Sequence, residues 1–181
     1  VTRRVAKAGF IAFGGDYLTS AGGTPASEDK AREMIGQLTQ AQTLSFGQKA
    51  TAALAMISGG NGKVGAIGFC WGGGAVNALA ASGDPNLKAG VAYYGMQPQA
   101  EDVPKISAPL LLHYAGLDER IDAGIPAFEK ALKANGKVYD LYLYDGVNHA
   151  FNNDTNAARY NAGAASLAWG RTVEFLKKYL G

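Results

Sequence analysis

Residues 63–74 read KVGAIGFCWGGG, and the fold follows from how that stretch is taken. Lys63 to Gly68 has the composition of a short buried strand, Cys70 stands at its tip, and the residues after Trp71 read as a helix. Gly68 and Gly72 flank the cysteine as G-x-C-x-G, a nucleophile-elbow pattern with cysteine in place of serine. In such an elbow the nucleophile is held in strained backbone geometry, and a Cβ at either flanking glycine is expected to collide with the neighbouring strand or helix.

Upstream, Val1 to Ala8 reads as the tail of an amphipathic helix with Val5 and Ala8 on one side and Arg3, Arg4 and Lys7 on the other. Phe10 to Phe13 reads as a short buried strand, and Gly14 to Ser27 as a loop. Ser27 before Glu28-Asp29 suits a helix start. The pattern predicts a helix over Lys30 to Gln40, a break near Ser45 to Gly47, and helix again over Gln48 to Ile57. Gly59-Gly60-Asn61-Gly62 is the turn into the elbow strand.

Downstream, Ala89 to Tyr94 and Leu110 to Tyr114 read as strands, with Pro98 to Ser107 a loop between them. Gly124 to Ala134 is a helix stopped by Asn135-Gly136. Val138 to Tyr144 is the last strand, and Ala157 to Tyr179 contains the closing helix, with Leu167, Trp169, Val173 and Leu176 predicted as its core face. Strands alternating with helices imply an α/β fold, a mostly parallel sheet covered by helices on both faces. One domain is expected over residues 1–181, without repeat or linker.

Bulk chemistry narrows the function. Of 181 residues, 17 are basic and 15 acidic, a net charge of +2 spread along the chain, so no basic stripe points to nucleic acid or an anionic membrane. A small molecule is the expected partner, and homo-oligomerisation is left open. The charge-free run Val64 to Gly83 is long enough to span a bilayer but is broken by glycines and Asn77. Arg3-Arg4 resembles a twin-arginine leader only faintly, because the following apolar run ends at Gly14-Gly15-Asp16. The single cysteine cannot form an internal disulfide and, with two histidines, makes a poor zinc set. A reduced thiol in the cytoplasm is expected, an upstream targeting segment remaining open, and no metal or cofactor is called for.

The chemistry gathers where strands end, the usual place for sites on open α/β sheets. Cys70 follows one strand, Asp118 another and His149 a third. A thiol needs a base to become a thiolate, a neutral imidazole can be that base, and a carboxylate on its other nitrogen fixes the tautomer. Glu119 and Asp122 are rivals for the acid, and Asp118 could be only a turn residue. His113, inside an apolar strand, reads as a satisfied core histidine. Gly72-Gly73-Gly74 fits neither G-x-G-x-x-G nor a P-loop.

GFCWGGG, the Tyr93-Tyr94-Gly95 strand end, PLLLHYAGLD at 109–118 and YDGVNHAFNND at 144–154 together resemble the dienelactone hydrolase family of α/β-hydrolases. The resemblance covers nearly the whole chain and implies an α/β-hydrolase fold. It also implies a Cys-Asp-His triad that cleaves a small carboxylic ester or lactone through an acylated thiol. It places the nucleophile at Cys70, the acid at Asp118 and the base at His149. The N–H of Trp71, after the nucleophile, is the expected oxyanion donor. Tyr94 matches the family's strand-end tyrosine, and Tyr17 and Phe151 lie in loops expected to open on the same face as a substrate pocket.

Two departures qualify the likeness. Family members acting on dienelactone hold the substrate carboxylate with arginines, whereas the corresponding loops here are Asp16 to Ser20 and Ala150 to Asn153. A neutral or differently anchored ester is therefore expected. Family chains also carry further strands, and a loop with a second oxyanion donor, ahead of the helix that begins here, so the reading expects an N-terminally incomplete fold. The competing expectation is an inactive or incomplete remnant acting as a binding or partner-dependent module.

Overall fold

The computed structural model describes residues 1–181. Four strands, β1 (Val64–Phe69), β2 (Leu87–Tyr93), β3 (Leu110–Ala115) and β4 (Tyr139–Tyr144), form one sheet in the order β1-β2-β3-β4 with every pair parallel. Seven helices accompany them: α1 (Thr2–Lys7), α2 (Glu28–Gly36) and α3 (Gln40–Ala55) ahead of β1, α4 (Trp71–Ala81) between β1 and β2, α5 (Glu119–Asp122) and α6 (Ile125–Ala134) between β3 and β4, and α7 (Ala162–Leu180) after β4. A parallel pair cannot be closed by a tight turn, so each strand feeds a crossover on a sheet face.

The central strands are apolar almost throughout because both their faces are covered. Ala89, Val91, Tyr93 and Leu111 point to one layer and meet Phe175, Leu176 and Leu180 of α7. Ala92, Leu110, Leu112 and Tyr114 point to the other and meet Leu79 of α4 with Phe128 and Leu132 of α6. Each such buried Leu or Phe contributes about 1.5–3 kcal/mol relative to exposure. No helix is long and apolar enough to cross a membrane.

Local signals set several boundaries as expected. The Ser27 side chain accepts from the Lys30 N–H at the start of α2, and α6 ends before Asn135 and Gly136, the latter at φ 60°. Elsewhere the structure differs from the sequence pattern. The break between α2 and α3 falls before Gln40, and Ser45 to Gly47 is uninterrupted helix. Thr39 closes a capping box with Gln42, which starts the second helix early. Gly47 is accommodated because α4 approaches there: a Cβ would lie 3.3 Å from the Leu79 side chain.

Pro98 to Ser107 is more ordered than a loop, with a 3-10 helix over Ala100–Lys105. The buried stripe of α7 is Ala165, Ala168, Thr172, Phe175, Leu176 and Leu180, whereas Leu167 is 52% exposed. Small residues let the helix sit close to the sheet, and Trp169 is capped by the Arg4 guanidinium, 4.2 Å from its ring centre.

The predicted strand Phe10 to Phe13 is the largest difference. These residues form no strand, Ile11 and Phe13 are 53% and 58% exposed, and no backbone group from Phe10 to Gly15 makes a backbone hydrogen bond. The segment has strand composition but no strand beside it.

Candidate active site

Cys70 occupies the tight passage from β1 to α4, at φ 52° and ψ −118°, a region that L-residues rarely enter. Its N–H donates to the Tyr93 carbonyl at 3.1 Å, anchoring the elbow to β2. Glycine is sterically obligatory at Gly68, where a Cβ would fall 1.9 Å from the Gly72 carbonyl oxygen, and at Gly73, where it would meet the Tyr93 carbonyl at 2.7 Å. Gly95 is the reciprocal surface, its Cβ position lying 2.3 Å from the Gly73 backbone. Gly72 is not crowded: a Cβ there meets nothing within 4 Å. The expected collision therefore belongs to Gly68 and Gly73, because the backbone of Gly72 itself fills the space over Gly68.

Asp118 and His149 come from the loops after β3 and β4. Gly116 N–H donates to the Tyr144 carbonyl at 2.8 Å and Leu117 N–H to the Val147 carbonyl at 3.0 Å, which locks the two loops together. Asp118 is 8% exposed, and its Oδ2 accepts from His149 Nδ1. Of the three candidate acids, Asp118 is the one joined to the histidine. Burial, then the Asp118 charge, raises the Asp122 carboxyl above its ordinary value, and Glu119 is exposed. The pairing leaves His149 Nε2 as the free ring nitrogen.

Burial pushes the Cys70 thiol up, with Asp118 acting in the same direction, while Arg159 and Arg120 act to lower it. The thiol makes no hydrogen bond, so a base is needed for it to ionise near neutral pH. Trp71 opens α4, where the first backbone N–H groups have no intrahelical partner. The Trp71 ring is 42% exposed and meets Tyr17 edge-on at 5.2 Å, and Tyr17 in turn lies 4.2 Å from Phe46. Tyr94 and Phe151 are 2% and 0% exposed, so they floor the site: the Tyr94 ring lies 4.9 Å from His149 and 5.3 Å from Phe151. No group of three or more His, Cys, Asp or Glu side chains is arranged to hold a metal.

Three non-glycine residues have positive φ: Cys70 at 52°, Tyr94 at 39° and Ala150, directly after His149, at 67°. Strain confined to such positions is characteristic of functional sites. Beneath it lies a polar layer that the sequence pattern did not show. His113, fully buried, hydrogen-bonds Tyr144 Oη at 3.0 Å through Nδ1 and Thr172 Oγ1 at 3.2 Å through Nε2, and Thr172 reaches Tyr93 Oη at 2.7 Å.

Arg171, a donor only, donates to Tyr144 Oη at 3.0 Å. The Tyr144 proton therefore goes to Nδ1, making His113 the Nε2–H tautomer that donates to Thr172. Burial, reinforced by Arg171, lowers the His113 pKa to about 3, so the ring is neutral. The His113 carbonyl also accepts from Tyr94 N–H at 2.6 Å, tying the network to the strained strand end. The core reading of His113 holds. Thr172 and Arg171 were invisible to it because α7 lies far away in sequence. Arg120, two residues after Asp118, was missed although it is close in sequence, and Arg159, in the loop ahead of α7, was not assigned to the site.

A parallel sheet with helices on both faces, a strained elbow at one strand end and an Asp-His pair at two others define an α/β-hydrolase fold. The dienelactone hydrolase family profile matches residues 1–180, and the chain belongs to that family. A Methylorubrum extorquens relative, whose name proposes a carboxymethylenebutenolidase, is 31% identical over 197 residues, covering 99% of this chain and 66% of its own length.

Carboxymethylenebutenolidase of Pseudomonas putida is 32% identical over 120 residues, covering 64% of this chain and 49% of its own length. The chain thus spans about half to two thirds of the length of these curated relatives. Among solved structures, a Klebsiella pneumoniae protein proposed to be a dienelactone hydrolase superposes with a TM-score of 0.71 at 28% identity, over 80% of this chain and 64% of that one.

Proposed function

We propose that this chain carries the catalytic centre of a hydrolase for small carboxylic esters or lactones, with Cys70 as nucleophile, His149 as base and Asp118 as the orienting acid. The observation that carries the reading is the Asp118–His149 pair, which leaves Nε2 available in a site whose thiol stands at the strained elbow. His149 takes the thiol proton, and the thiolate attacks the carbonyl carbon. The oxyanion is met by the Trp71 N–H at the start of α4. As the tetrahedral intermediate collapses, the C–O bond breaks and the imidazolium returns its proton to the leaving oxygen. Water, deprotonated by His149, then cleaves the thioester and frees the acid and the thiol. No cofactor enters this route.

The names of the relatives favour hydrolysis over a non-catalytic role and suggest a butenolide-type lactone as a substrate to try first. Arg120 and Arg159 favour negative charge at the thiol, so an anionic ester is a second substrate class to try. Turnover of a small aryl ester is expected to disappear in Cys70→Ala and His149→Ala. Full activity in both variants overturns the proposal.

A further inference from the structure

The buried stripe of α7 is apolar except at Thr172, which is fully buried. A buried hydroxyl is costly unless it is hydrogen-bonded, and a helical threonine can meet that need within its own turn. Thr43 and Thr51 of α3 do so, turning their hydroxyls on the Thr39 and Gln48 carbonyls at 3.1 and 3.0 Å. Thr172 instead reaches out of its helix to two strands. Its Oγ1 shares a hydrogen bond with Tyr93 Oη of β2 at 2.7 Å and accepts from His113 Nε2 of β3 at 3.2 Å. The preceding residue, Arg171, donates to Tyr144 Oη at the end of β4. Two consecutive residues of one helix thus grip three neighbouring strands.

Each gripped strand leads into the site. The Tyr93 carbonyl accepts from the Cys70 N–H at 3.1 Å, and the Tyr93 ring stacks on Phe69, the residue before the cysteine, with 4.5 Å between centres. β3 runs from His113 towards Asp118, and β4 ends at Tyr144, five residues before His149. The thiol makes no hydrogen bond and His149 is bonded to Asp118, so nothing ties Cys70 to His149 directly. Their approach follows from how the end of β2 is held against the ends of β3 and β4. Ladder hydrogen bonds fix the spacing of strands, but the twist between neighbours varies widely from one pair to the next. A group on the covering helix that is bonded to both strands fixes that twist.

We propose that Thr172, backed by Arg171, is a positioning residue: its hydroxyl pins the end of β2, which anchors Cys70, to the ends of β3 and β4, which deliver Asp118 and His149, and so sets the approach of imidazole to thiol. The inference rests on the assignment of Cys70 as nucleophile and His149 as base. Thr172 stands one step away from the thiol and acts through Tyr93. Arg171, Tyr144, His113 and Thr172 form a directed chain in which each bond polarises the next, so loss of one hydroxyl loosens all three strand ends together.

The test uses Cys70, the one cysteine of the chain, as its own probe. The rate of its alkylation by iodoacetamide is followed as a function of pH, because the thiolate is the species that reacts. A paired imidazole keeps the thiol reactive below its own ionisation range, and His149→Ala is expected to abolish that reactivity. Thr172→Val keeps the shape and removes the hydroxyl. Its profile is expected to move towards that of His149→Ala, and kcat for a small aryl ester to fall by about 10²-fold with KM unchanged, the scale of a catalytic group misplaced by about 1 Å. Thr172→Ser, which keeps the hydroxyl, is expected to restore both. Tyr93→Phe cuts the same link from the side of β2 and carries the same expectation should Thr172→Val fail to fold.

A wild-type alkylation profile in Thr172→Val, or in Tyr93→Phe where the first does not fold, overturns the proposal whatever the melting temperature. A hydroxyl with a structural role alone lowers stability and leaves the thiol of the folded protein unchanged. A rise in KM with kcat retained overturns the proposal too, as does a serine variant no better than the valine one. If His149→Ala itself leaves the wild-type profile unchanged, the pairing of thiol and imidazole falls and the proposal with it. With that control intact, failure of the Thr172 variants removes the positioning role and leaves the catalytic assignment standing.

Discussion

β4 and β1 are both edge strands, yet they face their surroundings differently. Along β4 Tyr139 is bonded to Glu129 at 2.9 Å, Asp140 is exposed, and Tyr142 is covered by the Arg171 guanidinium 3.7 Å from its ring centre, Leu143 being the one exposed apolar side chain. From Val64 to Phe69, β1 has no polar side chain and includes two glycines, the composition of a strand buried among others. Charge and bulk on β4 discourage further pairing, whereas nothing on β1 does. Cys70 thus stands at the end of an unguarded edge, and His149 and Asp118 at the end of a guarded half. The β1 half depends on backbone close approach, the β3–β4 half on side-chain hydrogen bonds.

The largest effect should come from attacking that backbone approach. In Gly68→Ala the new methyl meets the Gly72 carbonyl at 1.9 Å, so esterase activity is expected to vanish with a stability loss above about 4 kcal/mol. Gly72→Ala, in open space within helix α4, should leave thermal stability unchanged or raise it by up to roughly 1 kcal/mol. Equal damage from both, read by calorimetry, would erase the steric distinction.

On the guarded half, Asp118→Asn keeps shape but loses the charge facing His149. A fall in kcat of roughly 10⁴-fold, the scale seen for the equivalent change in a serine protease, is expected with little change in Tm. Glu119→Gln should retain full kcat. A comparable loss in Glu119→Gln would show that the acid is misassigned.

His113 makes the same half sensitive to acid. Its folded pKa lies at about 3, below the ordinary 6.5. Between those values the unfolded chain binds a proton that the folded one refuses, so stability falls as pH drops, by about 1.4 kcal/mol per unit at most. Urea melts of wild type and His113→Gln from pH 7 to pH 4 should show a steep acid limb for the first and a shallower one for the second. Parallel limbs would remove His113 as its source. The smallest effect is expected far from both edges: Leu167→Gln, at a site 52% exposed, should shift stability by less than about 0.5 kcal/mol in the same melts.

Legibility in the sequence followed the range of the interaction. Ser27 and Asn135-Gly136 mark helix ends because capping acts within a few residues. Cys70, Asp118 and His149 were read as a set because a parallel α/β sheet delivers every strand end to one side, and the structure joins Asp118 to His149. Thr172 and Arg171 reach the layer beneath the site from the last helix, and no local pattern announces that. Ser45 to Gly47 looked like a break and Phe10 to Phe13 like a strand because propensity was read without neighbours: α4 makes room for Gly47, and no strand pairs with Phe10 to Phe13.

The sequence by itself determined the alternation of strands and helices, the strand-end order Cys70, Asp118, His149, and the need for glycine around Cys70, since each rests on spacing along the chain. Tertiary structure alone decided that Gly68 and Gly73, not Gly72, bear the crowding, that Asp118 is the acid in reach of His149, and that β1 lies open beside an unpaired segment. Those outcomes depend on distances between residues far apart in the chain, which packing sets and local pattern does not encode.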